Sequence, residues 1–469
     1  FIYLNYKIFM ISDFRSLIVN LFLLLFVVNF HSSCNSGKSE NSIQKSKYEN
    51  QRLNSSIDSI PLFICGSYFN KAKSIEKDQI VRLLNSGKIF CTSDLTETLK
   101  SFFKLSRSPK SYIINQVNLS DDSLLVITSL DSLDPKLIAL SVNKVNYFKN
   151  PEKYPFYIQS ISKSVDFKKD ITSYTHTGVT AITRATGRLL DNLSNDDYLK
   201  NIKSYFLDRE IIHISNEVSI SDTCNYNGMK MKFATKAEHF EILKKLRANV
   251  IELTGNHNLD VGTKPYLNSL KFYKQNNMSY FGGGANADEA EAPLIKVLKD
   301  GKKIAWIGFN ELCPCAECTD NKSKMGANRY SSIKAKDVIS KLKNEKISYI
   351  IACVQYGERD SYDPSPTQVK ISKELLDLGA DVVIGSQAHQ PQRVELYKGK
   401  FIFYGLGNFL FDQIHRVGVR QAYFLECYFY KGKIVQFQPV FTYLPPSRIP
   451  NIASEQEESE IRKAIFLKH

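Results

Sequence analysis

The chain lacks a recognisable nucleic-acid-binding motif, and it has too few acidic residues to balance its basic ones. Lys and Arg together number 62 against 48 Asp and Glu, which gives a formal net charge of +14. A basic balance suits anionic partners such as nucleic acid, anionic lipid, phosphates or an acidic polymer. A generally lysine-rich proteome would give the same composition. Because no platform of interleaved basic and aromatic residues is present, we expect no nucleic acid as a partner.

After residue 30 the sequence has no run apolar enough for a membrane span. The one long apolar run, residues 17–30, is short for a span and follows Lys7 and Arg15, as in an export signal. It leads into HSSC, which resembles a bacterial lipoprotein signal with Cys34 as the lipidation site. The alternative is an ordinary secretory signal or an uncleaved anchor. In each case we expect an exported cell-envelope protein on the periplasmic or cell-surface side, and in the first case a lipid anchor in the membrane.

Cysteines at zinc-binding spacing are also lacking. The cluster CPCAEC at 313–318 has no second Cys or His pair at the spacing of a zinc site, so we favour disulfides or free thiols there. The chain has nine cysteines, and an oxidising compartment would pair some of the eight that remain besides Cys34. The spacing does not predict which cysteines pair.

The composition, 43% hydrophobic and 23% charged, is typical of a globular protein. In the first folded part, 78–87 has a helical pattern, while 111–117, 123–130 and 137–145 have the pattern of strands. The chain divides into a signal at 1–34, a flexible polar linker at 35–60, a small α/β unit at 61–165, a longer unit at 171–445 and a polar C-terminal tail at 446–469.

The longer unit alternates apolar strand patterns with amphipathic helix patterns, which predicts an α/β layered fold. Residues 421–443 predict a β-hairpin that turns at Lys431 and Gly432. The predicted strands are 210–218, 248–253, 303–309, 347–354, 381–385 and 400–407, and the predicted helices are 237–247, 264–275, 333–345 and 366–379.

Several of these strands end in unusually polar loops. In α/β sheets, ligands bind beyond the carboxyl ends of the strands, so five such loops would converge on one cleft. An isolated Asn-His pair is most simply a turn, whereas the set favours a shared site. The candidate residues are Asn216, Glu217, Asn256, His257, Gln355, Gln387, His389, Asn408, Asp412 and Gln413.

Residues 171–445 resemble the bacterial capsule-synthesis, poly-γ-glutamate CapA-like family. TGNHNLDVG is similar to the family's Asn-Asn-His-x-x-Asp-x-Gly loop, and SYFGGGANADEAEAP to its Gly-x-Gly-x-Asn segment. The strongest similarity is at 379–413, which runs through Gly-x-x-x-His and Gly-Leu-Gly-Asn-Phe. The resemblance implies a metallophosphatase-like layered α/β sandwich preceded by a smaller α/β unit. Residues 137–158 of that smaller unit resemble part of a periplasmic substrate-binding-like module.

The resemblance implies two divalent cations held at strand ends by Asp, Asn and His, with a bridging water as nucleophile. This sequence departs from that pattern at three expected ligands. Val179 stands where the family has Asp, and Gln355 and Gln387 each stand where it has His. Gly178 and Arg184 match the family's first motif. Valine has no lone pair, and amide oxygens are weaker ligands for transition metals than imidazole or carboxylate.

The metal ligands that the resemblance leaves are Glu217, Asn256, His257 and His389. They could hold one cation such as Mn, Fe or Zn, or the site could bind no metal, and both alternatives stay open. If hydrolysis survives, His257 or His389 is the expected general acid or base, with Glu217 as partner. Amides bind carboxylates, sugars and peptide groups without a metal. The candidate binding residues are Asn216, Gln355, Gln387, Gln390, Gln392 and Asn408, with Arg184 and Glu311 as secondary candidates that could equally form structural ion pairs.

The expected function is that of a lipid-anchored CapA-like protein with a degenerate metal site. It would act in the biosynthesis, handling or retention of an anionic capsule or surface polymer such as poly-γ-glutamate, and an envelope glycan is the other expected polymer. Other capsule-synthesis proteins are expected partners. One alternative is an active metal-dependent hydrolase of phosphoesters or envelope polymers. A second alternative is a ligand-binding module without catalysis.

Overall fold

Two large sheets face each other across a shared apolar interior, and a smaller sheet precedes them in the chain. A computed structural model describes residues 58–160, 165–229, 231–312, 324–357 and 359–466. Contacts join Asp58–His469 into one unit. The predicted α/β fold is confirmed, while the predicted domain boundaries stay predictions.

The smaller sheet uses most of the strands of residues 58–160. These strands are β1 (Asp58–Gly66), β2 (Ser74–Ile75), β3 (Phe90–Cys91), β4 (Leu125–Ser129), β5 (Ile138–Ala139), β6 (Ser141–Val142) and β7 (Tyr157–Ser160). The sheet has the order β3-β4-β1-β5, with β7 also paired to β1. Two helices, α1 (Ile80–Asn85) and α2 (Thr96–Phe102), accompany it. The strand predicted at 111–117 is wrong: the segment contains a 3-10 helix at Ile114–Gln116, and Ile113 is 60% exposed, so no apolar face is covered as a strand would need.

The remaining strands form the two facing sheets and one short pair. They are β8 (Ile171–Thr180), β9 (Ile211–Asn216), β10 (Val250–Glu252), β11 (Ser279–Phe281), β12 (Gly283–Gly284), β13 (Leu294–Val297), β14 (Lys303–Asn310), β15 (Gly326–Ala327), β16 (Tyr349–Gln355), β17 (Val382–Ser386), β18 (Val394–Tyr397), β19 (Lys400–Phe403), β20 (Asn408–Leu410), β21 (Gln421–Tyr430), β22 (Lys433–Tyr443) and β23 (Asn451–Ile452). All six predicted strands are present, and so is the predicted hairpin, as β21 and β22.

The eight-stranded sheet has the order β11-β10-β9-β8-β21-β22-β23, with β20 also on β8. The six-stranded sheet has the order β13-β14-β16-β17-β19-β18. Strands β8 to β11 run parallel within the first sheet, and β14, β16, β17 and β19 run parallel within the second. The carboxyl ends of neighbouring strands therefore lie at a common edge of each sheet.

Helices cover the outer face of each sheet, and the inner faces pack together. In β16, Ile350 and Ala352 pack with the outer helices, whereas Ile351 and Cys353 face the other sheet. This alternation follows the two-residue period of a strand buried on both faces, which is why such strands are continuous apolar runs in the sequence. The helices are α3 (Phe167–Asp170), α4 (Arg184–Leu190), α5 (Asn195–Leu199), α6 (Ala237–Phe240), α7 (Ile242–Lys245), α8 (Thr263–Gln275), α9 (Ala287–Glu291), α10 (Ser332–Asn344), α11 (Pro366–Leu378), α12 (Val417–Arg420) and α13 (Glu455–Phe466).

Two helical regions differ from the sequence prediction. The helix predicted at 237–247 is divided into α6 and α7. The segment predicted as a polar tail, 446–469, contains α13, which buries Ile461, Ile465 and Phe466. Only a narrow apolar stripe of this helix meets the core, so its composition is polar overall although the helix is packed.

A buried glutamine joins the N-terminal sheet to the hairpin. Gln436 on β22 donates from Nε2 to the carbonyl oxygen of Leu137 at 2.6 Å and accepts from the backbone N–H of Ala139 at 2.9 Å. The ring of Phe148 also lies 4.3 Å from that of Tyr428 on β21, measured between centroids. The side-chain amide thus pairs with β5 much as a strand backbone would.

The described residues include only some of the residues on which the export and cysteine predictions rest. Residues 1–34 and 313–318 lie outside them. The described cysteines Cys65, Cys91, Cys224, Cys353 and Cys427 all carry free thiols. Among the described residues, none of the helices combines the length and the hydropathy needed to cross a membrane.

Gly178 allows two backbone segments to approach closely at the end of β8. A Cβ atom placed on Gly178 would lie 2.1 Å from the carbonyl oxygen of Gly407. The same carbonyl accepts from the backbone N–H of Val179 at 3.0 Å. Only glycine fits this position without moving the chain that leads into β20.

We expect Gly178→Ala to lower the free energy of unfolding by about 3 kcal/mol, because the methyl group overlaps a fixed carbonyl. Urea unfolding measures the change. Gly357→Ala is the matched control, since its Cβ would meet only the side chain of Leu312 at 3.7 Å. Equal stability of the two variants would contradict this close approach.

Candidate functional site

Polar side chains from both facing sheets meet at the carboxyl ends of their parallel strands. Glu217 follows β9, and Asn256 and His257 follow β10 in the eight-stranded sheet. In the six-stranded sheet, Gln355 ends β16 and Gln387 follows β17. The predicted convergence of strand-end loops therefore brings Glu217, Asn256, Gln355 and Gln387 into direct contact. We call these four residues the amide network.

Gln355 is the centre of the amide network. Its Nε2 donates to Glu217 Oε1 at 2.9 Å and to Asn256 Oδ1 at 3.0 Å, and it also donates to Gln387 Oε1. Gln355 is fully buried, and Glu217 and Gln387 are 1% and 2% exposed. Three oxygen acceptors from three different loops thus point at one amide nitrogen.

The backbone fixes the position of that nitrogen. In the sheet register, Gln355 lies between Asn310 on β14 and Ser386 on β17. Asn310 donates from Nδ2 to Gln355 Oε1 at 2.8 Å and to the carbonyl oxygen of Thr254 at 2.6 Å. Asn310 was not among the predicted residues, although an Asn at the end of an apolar strand is the same pattern that identified the other loops.

A layer of rings adjoins the loops that carry the amide network. His257 lies against Phe233, with ring centroids 4.0 Å apart, and His389 lies 5.3 Å from Phe411. The guanidinium carbon of Arg184 lies 4.7 Å from the ring centroid of Phe233 and 4.9 Å from that of Phe411. The cation therefore connects the two histidine–phenylalanine pairs.

Arg184 also forms an ion pair within the protein. Its Nε and terminal nitrogen donate to the two carboxylate oxygens of Asp412 at 3.1 and 2.5 Å. Asp412 further accepts from the backbone N–H of Ala185 at 3.0 Å. This bidentate geometry supports the structural alternative for Arg184 and orients its guanidinium between the two phenylalanine rings.

Each histidine is oriented through Nδ1. His257 Nδ1 lies 2.7 Å from Asp260 Oδ2, and the same oxygen accepts from the backbone N–H of Phe233 at 2.7 Å. His389 Nδ1 lies 2.9 Å from Asn408 Oδ1. An imidazole held by a carboxylate at Nδ1 presents Nε2 for proton transfer or for hydrogen bonding to a ligand.

Gln387 and His389 have unusual backbone conformations, with φ of 79° and 54°. Residues other than glycine rarely occupy this left-handed region, and they persist there when surrounding contacts hold them. The hydrogen bonds from Gln355 to Gln387 and between His389 and Asn408 supply such contacts.

Other predicted site residues have partners outside the amide network. Asn216 donates to the carbonyl oxygen of Val218 at 2.7 Å and to the hydroxyl of Tyr273 at 2.8 Å, where burial raises the pKa of Tyr273 and keeps its phenol neutral. Gln390 accepts from Arg416, and Gln392 accepts from Gln368 at 2.7 Å. These three amides are therefore each engaged by groups other than the amide network.

Glu311 reaches the site through its backbone, because its N–H donates to the carbonyl oxygen of Gln355 at 2.8 Å.

Two clusters of His, Cys, Asp or Glu side chains among the described residues are close enough to share one ion. They are His176, His213, Glu252 and Cys353 in the interior, and Asp191, Glu238 and His239 at the surface. The predicted metal ligands Glu217, His257 and His389 belong to neither.

A cavity of about 830 Å³ lies away from the amide network, between the N-terminal sheet and α13. Several of its charged groups pair with one another: Lys71 with Asp122, Lys149 with Glu426 and Arg462 with Glu458. The cavity is thus a separate recess in which these charges are already compensated.

Known proteins resemble the part of the chain that carries the amide network. Capsule biosynthesis protein CapA of Bacillus anthracis is 25% identical over 237 residues, which is 49% of this chain and 57% of that protein. PGA biosynthesis protein CapA of Bacillus subtilis (strain 168) is 22% identical over 249 residues, 53% of this chain and 65% of that protein. The matched region thus spans less than two thirds of either relative.

Among solved structures, the calcineurin-like phosphoesterase YfkN from Bacillus subtilis superposes with a TM-score of 0.36 and 13% identity, covering 63% of this chain and 96% of that chain. The family model described as bacterial capsule synthesis protein PGA_cap matches residues 170–413, just over half of the sequence. That match includes every residue of the amide network and confirms the predicted resemblance. The chain therefore belongs to the PGA_cap family of bacterial capsule synthesis proteins.

Proposed function

We propose that this protein acts in the biosynthesis, handling or retention of an anionic capsule or surface polymer of the poly-γ-glutamate type. Family membership supports the proposal, as do two relatives that are named as CapA proteins of capsule and PGA biosynthesis. A net charge of +14 favours an anionic polymer over a neutral one. Other capsule-synthesis proteins are proposed partners.

We further propose that the cleft binds this polymer without a two-metal hydrolytic centre. The observation that carries this proposal is the position of Gln355 Nε2 among oxygens of Glu217, Asn256 and Gln387. Oxygens that converge in this way would suit a cation. Here a neutral amide nitrogen lies among them, and its two N–H groups donate to them in place of a cation.

The other expected ligand positions also fit a dinuclear centre poorly. Val179, at the position of the family's metal-binding Asp, is 1% exposed and has no lone pair to offer. Glu217 and Asn256 each already direct an oxygen at Gln355. Hydrogen bonds to a metal ligand orient that ligand but do not replace a missing one.

In this proposal the polymer is held by hydrogen bonds. His257 is partly exposed, with 12% of its side chain accessible, and Asp260 orients it. Its Nε2 can meet a carboxylate or an amide of a polyglutamate chain, and Asn256 beside it adds an amide. The same His257–Asp260 pair would be the general base if the hydrolase alternative holds.

We expect the purified protein to bind poly-γ-glutamate oligomers, and His257→Ala to weaken binding by about tenfold. Loss of one hydrogen bond to a charged group is worth about 1.5–3 kcal/mol, and tenfold corresponds to about 1.4 kcal/mol. Isothermal titration calorimetry at low ionic strength measures the affinity. Gln275→Ala, at an exposed amide on α8, is the matched control and should bind like the parent protein.

Two results would contradict the binding proposal. The first is equal affinity of His257→Ala and Gln275→Ala for the polymer. The second is polymer cleavage, or turnover of bis(p-nitrophenyl) phosphate, that depends on added Mn²⁺ and is lost in Glu217→Ala. The second result would favour the hydrolase alternative.

We expect Gln355→Glu to lower the free energy of unfolding by about 3 kcal/mol at pH 7, because it places a carboxylate beside Glu217 in a buried site. Mn²⁺ should raise the Tm of this variant but not that of the parent protein, since two carboxylates and two amide oxygens would then surround one point. Gln392→Glu is the control, because its buried amide has no carboxylate partner in the described hydrogen bonds, and Mn²⁺ should leave its Tm unchanged. A Gln355→Glu variant as stable as the parent would contradict the role given to this amide.

We also propose that the protein is exported and held at the membrane by a lipid on Cys34. The apolar run at 17–30 followed by HSSC supports this proposal. Cells grown with radioactive palmitate should label the parent protein and the Cys224→Ala control, whereas Cys34→Ala should lose the label. Equal labelling of the Cys34→Ala variant would reject the lipid anchor.

A further inference from the structure

A compact group of metal-ligating side chains lies in the interior, beneath the amide network. It consists of His176, His213, Glu252 and Cys353, and we call it the interior cluster. One ligand atom from each residue lies within 4.8 Å of those of the other three. All four side chains are buried, with at most 2% exposure.

Strand register brings the interior cluster together. His176 on β8 is the direct partner of His213 on β9, and Glu252 lies on β10, the next strand. Cys353 comes from β16 of the facing sheet, two residues before Gln355. Side chains two residues apart on a strand share a face, so Cys353 lies one step deeper than the centre of the amide network.

The histidine rings and the carboxylate are already close. The two rings are nearly parallel, at 12°, with centroids 3.7 Å apart. His213 Nε2 lies 3.1 Å from Glu252 Oε2, and the Thr254 hydroxyl donates to Glu252 Oε1. The ligand atoms are close enough to surround one ion, and the two parallel rings would tilt toward it on binding.

A further layer of hydrogen bonds holds His176. Its Nδ1 contacts the Tyr174 hydroxyl, which accepts from Trp306 Nε1 at 3.0 Å. Ligating histidines are commonly fixed through the second ring nitrogen in this way. Because Nδ1 of His176 is engaged, Nε2 is the nitrogen that an ion would take.

One nitrogen in the interior cluster lacks the partner that burial requires. His213 Nδ1 has no hydrogen-bond partner among the described residues, although its side chain is fully buried. Among the described ion pairs, the partner of Glu252 is His213. A cation would balance the negative charge of the buried Glu252 carboxylate. It would also be coordinated by imidazole nitrogens that hydrogen bonds leave unoccupied.

We propose that His176, His213, Glu252 and Cys353 bind one Zn²⁺ ion as a closed, four-coordinate structural site. Two nitrogens, one oxygen and one sulfur are ligands that suit Zn²⁺, and binding releases the thiol proton of Cys353 to solvent. Because every donor is buried, no position is open to substrate, and the ion ties β8, β9 and β10 to β16. The proposal does not depend on the polymer-binding function or on the fate of the metal positions in the cleft.

We expect the full chain, produced in zinc-supplemented medium and dialysed, to contain about one Zn²⁺ per molecule by inductively coupled plasma mass spectrometry. X-ray absorption at the zinc edge should show one sulfur at about 2.3 Å and nitrogen or oxygen ligands at about 2.0–2.2 Å. This measurement uses the parent protein, so it does not depend on any variant folding. Cys353→Ser should lose the sulfur signal, and Cys427→Ser, another fully buried thiol of the same interior, should keep it.

A protein that folds and takes up no zinc would overturn the proposal. So would bound zinc without a sulfur ligand, or zinc that is lost in Glu217→Ala and His257→Ala and retained in Cys353→Ser, since the ion would then lie in the cleft. Zinc with sulfur ligation that persists in the two cleft variants supports the interior site. That result would hold whether or not the protein binds polymer.

Discussion

The amide nitrogen of Gln355 holds together the polar loops at the carboxyl ends of the two facing sheets. Oxygens of Glu217, Asn256 and Gln387 come from loops of two different sheets and converge there. Without a donor between them, these oxygens would lose this hydrogen-bond partner, and an unsatisfied buried acceptor costs about 1–3 kcal/mol. One neutral group therefore holds both sheet ends together, and the left-handed backbone at Gln387 persists in its presence.

This arrangement bears on how the proposed function would operate. A metal centre works by polarising water, whereas an amide among oxygens contributes only hydrogen bonds. His257 and His389 retain the partners that orient an imidazole, at Asp260 and Asn408. The cleft thus keeps geometry suited to recognising a polar chain while its central position is filled by a side chain. Under the proposed function, the cleft would hold the polymer for handling or retention and would not cleave it.

Much of the fold could be predicted because strands buried on both faces appear as uninterrupted apolar runs. The sequence predicts β14, β16 and β17 for this reason. The polar residues where β16 and β17 end identify Gln355 and Gln387 as site candidates. The division of 237–247 into two short helices could not be read from its apolar periodicity, which continues across the break. Helix α13 was missed because its buried stripe is only a few residues wide.

The interior cluster was missed for a different reason. His213, Glu252 and Cys353 each stand alone within an apolar strand, and His176 lies in a strand rich in Ser and Thr. Nothing in the spacing of one strand points to the others. They meet because β8 and β9 are in register and because β16 of the second sheet faces them. A polar residue inside a strand becomes informative only when the opposite layer is known.

The side chain of Gln436 has a consequence for how the N-terminal part of the chain can work. It bonds to the backbone on either side of Ile138 from within a fully buried position, so the smaller sheet is joined to the hairpin by the same kind of bond that joins strands. A binding module that closes around its ligand needs a hinge that opens freely. Opening here would break both of these hydrogen bonds and separate the rings of Phe148 and Tyr428, which are in contact. A hinge between the smaller sheet and the hairpin would therefore work against these contacts.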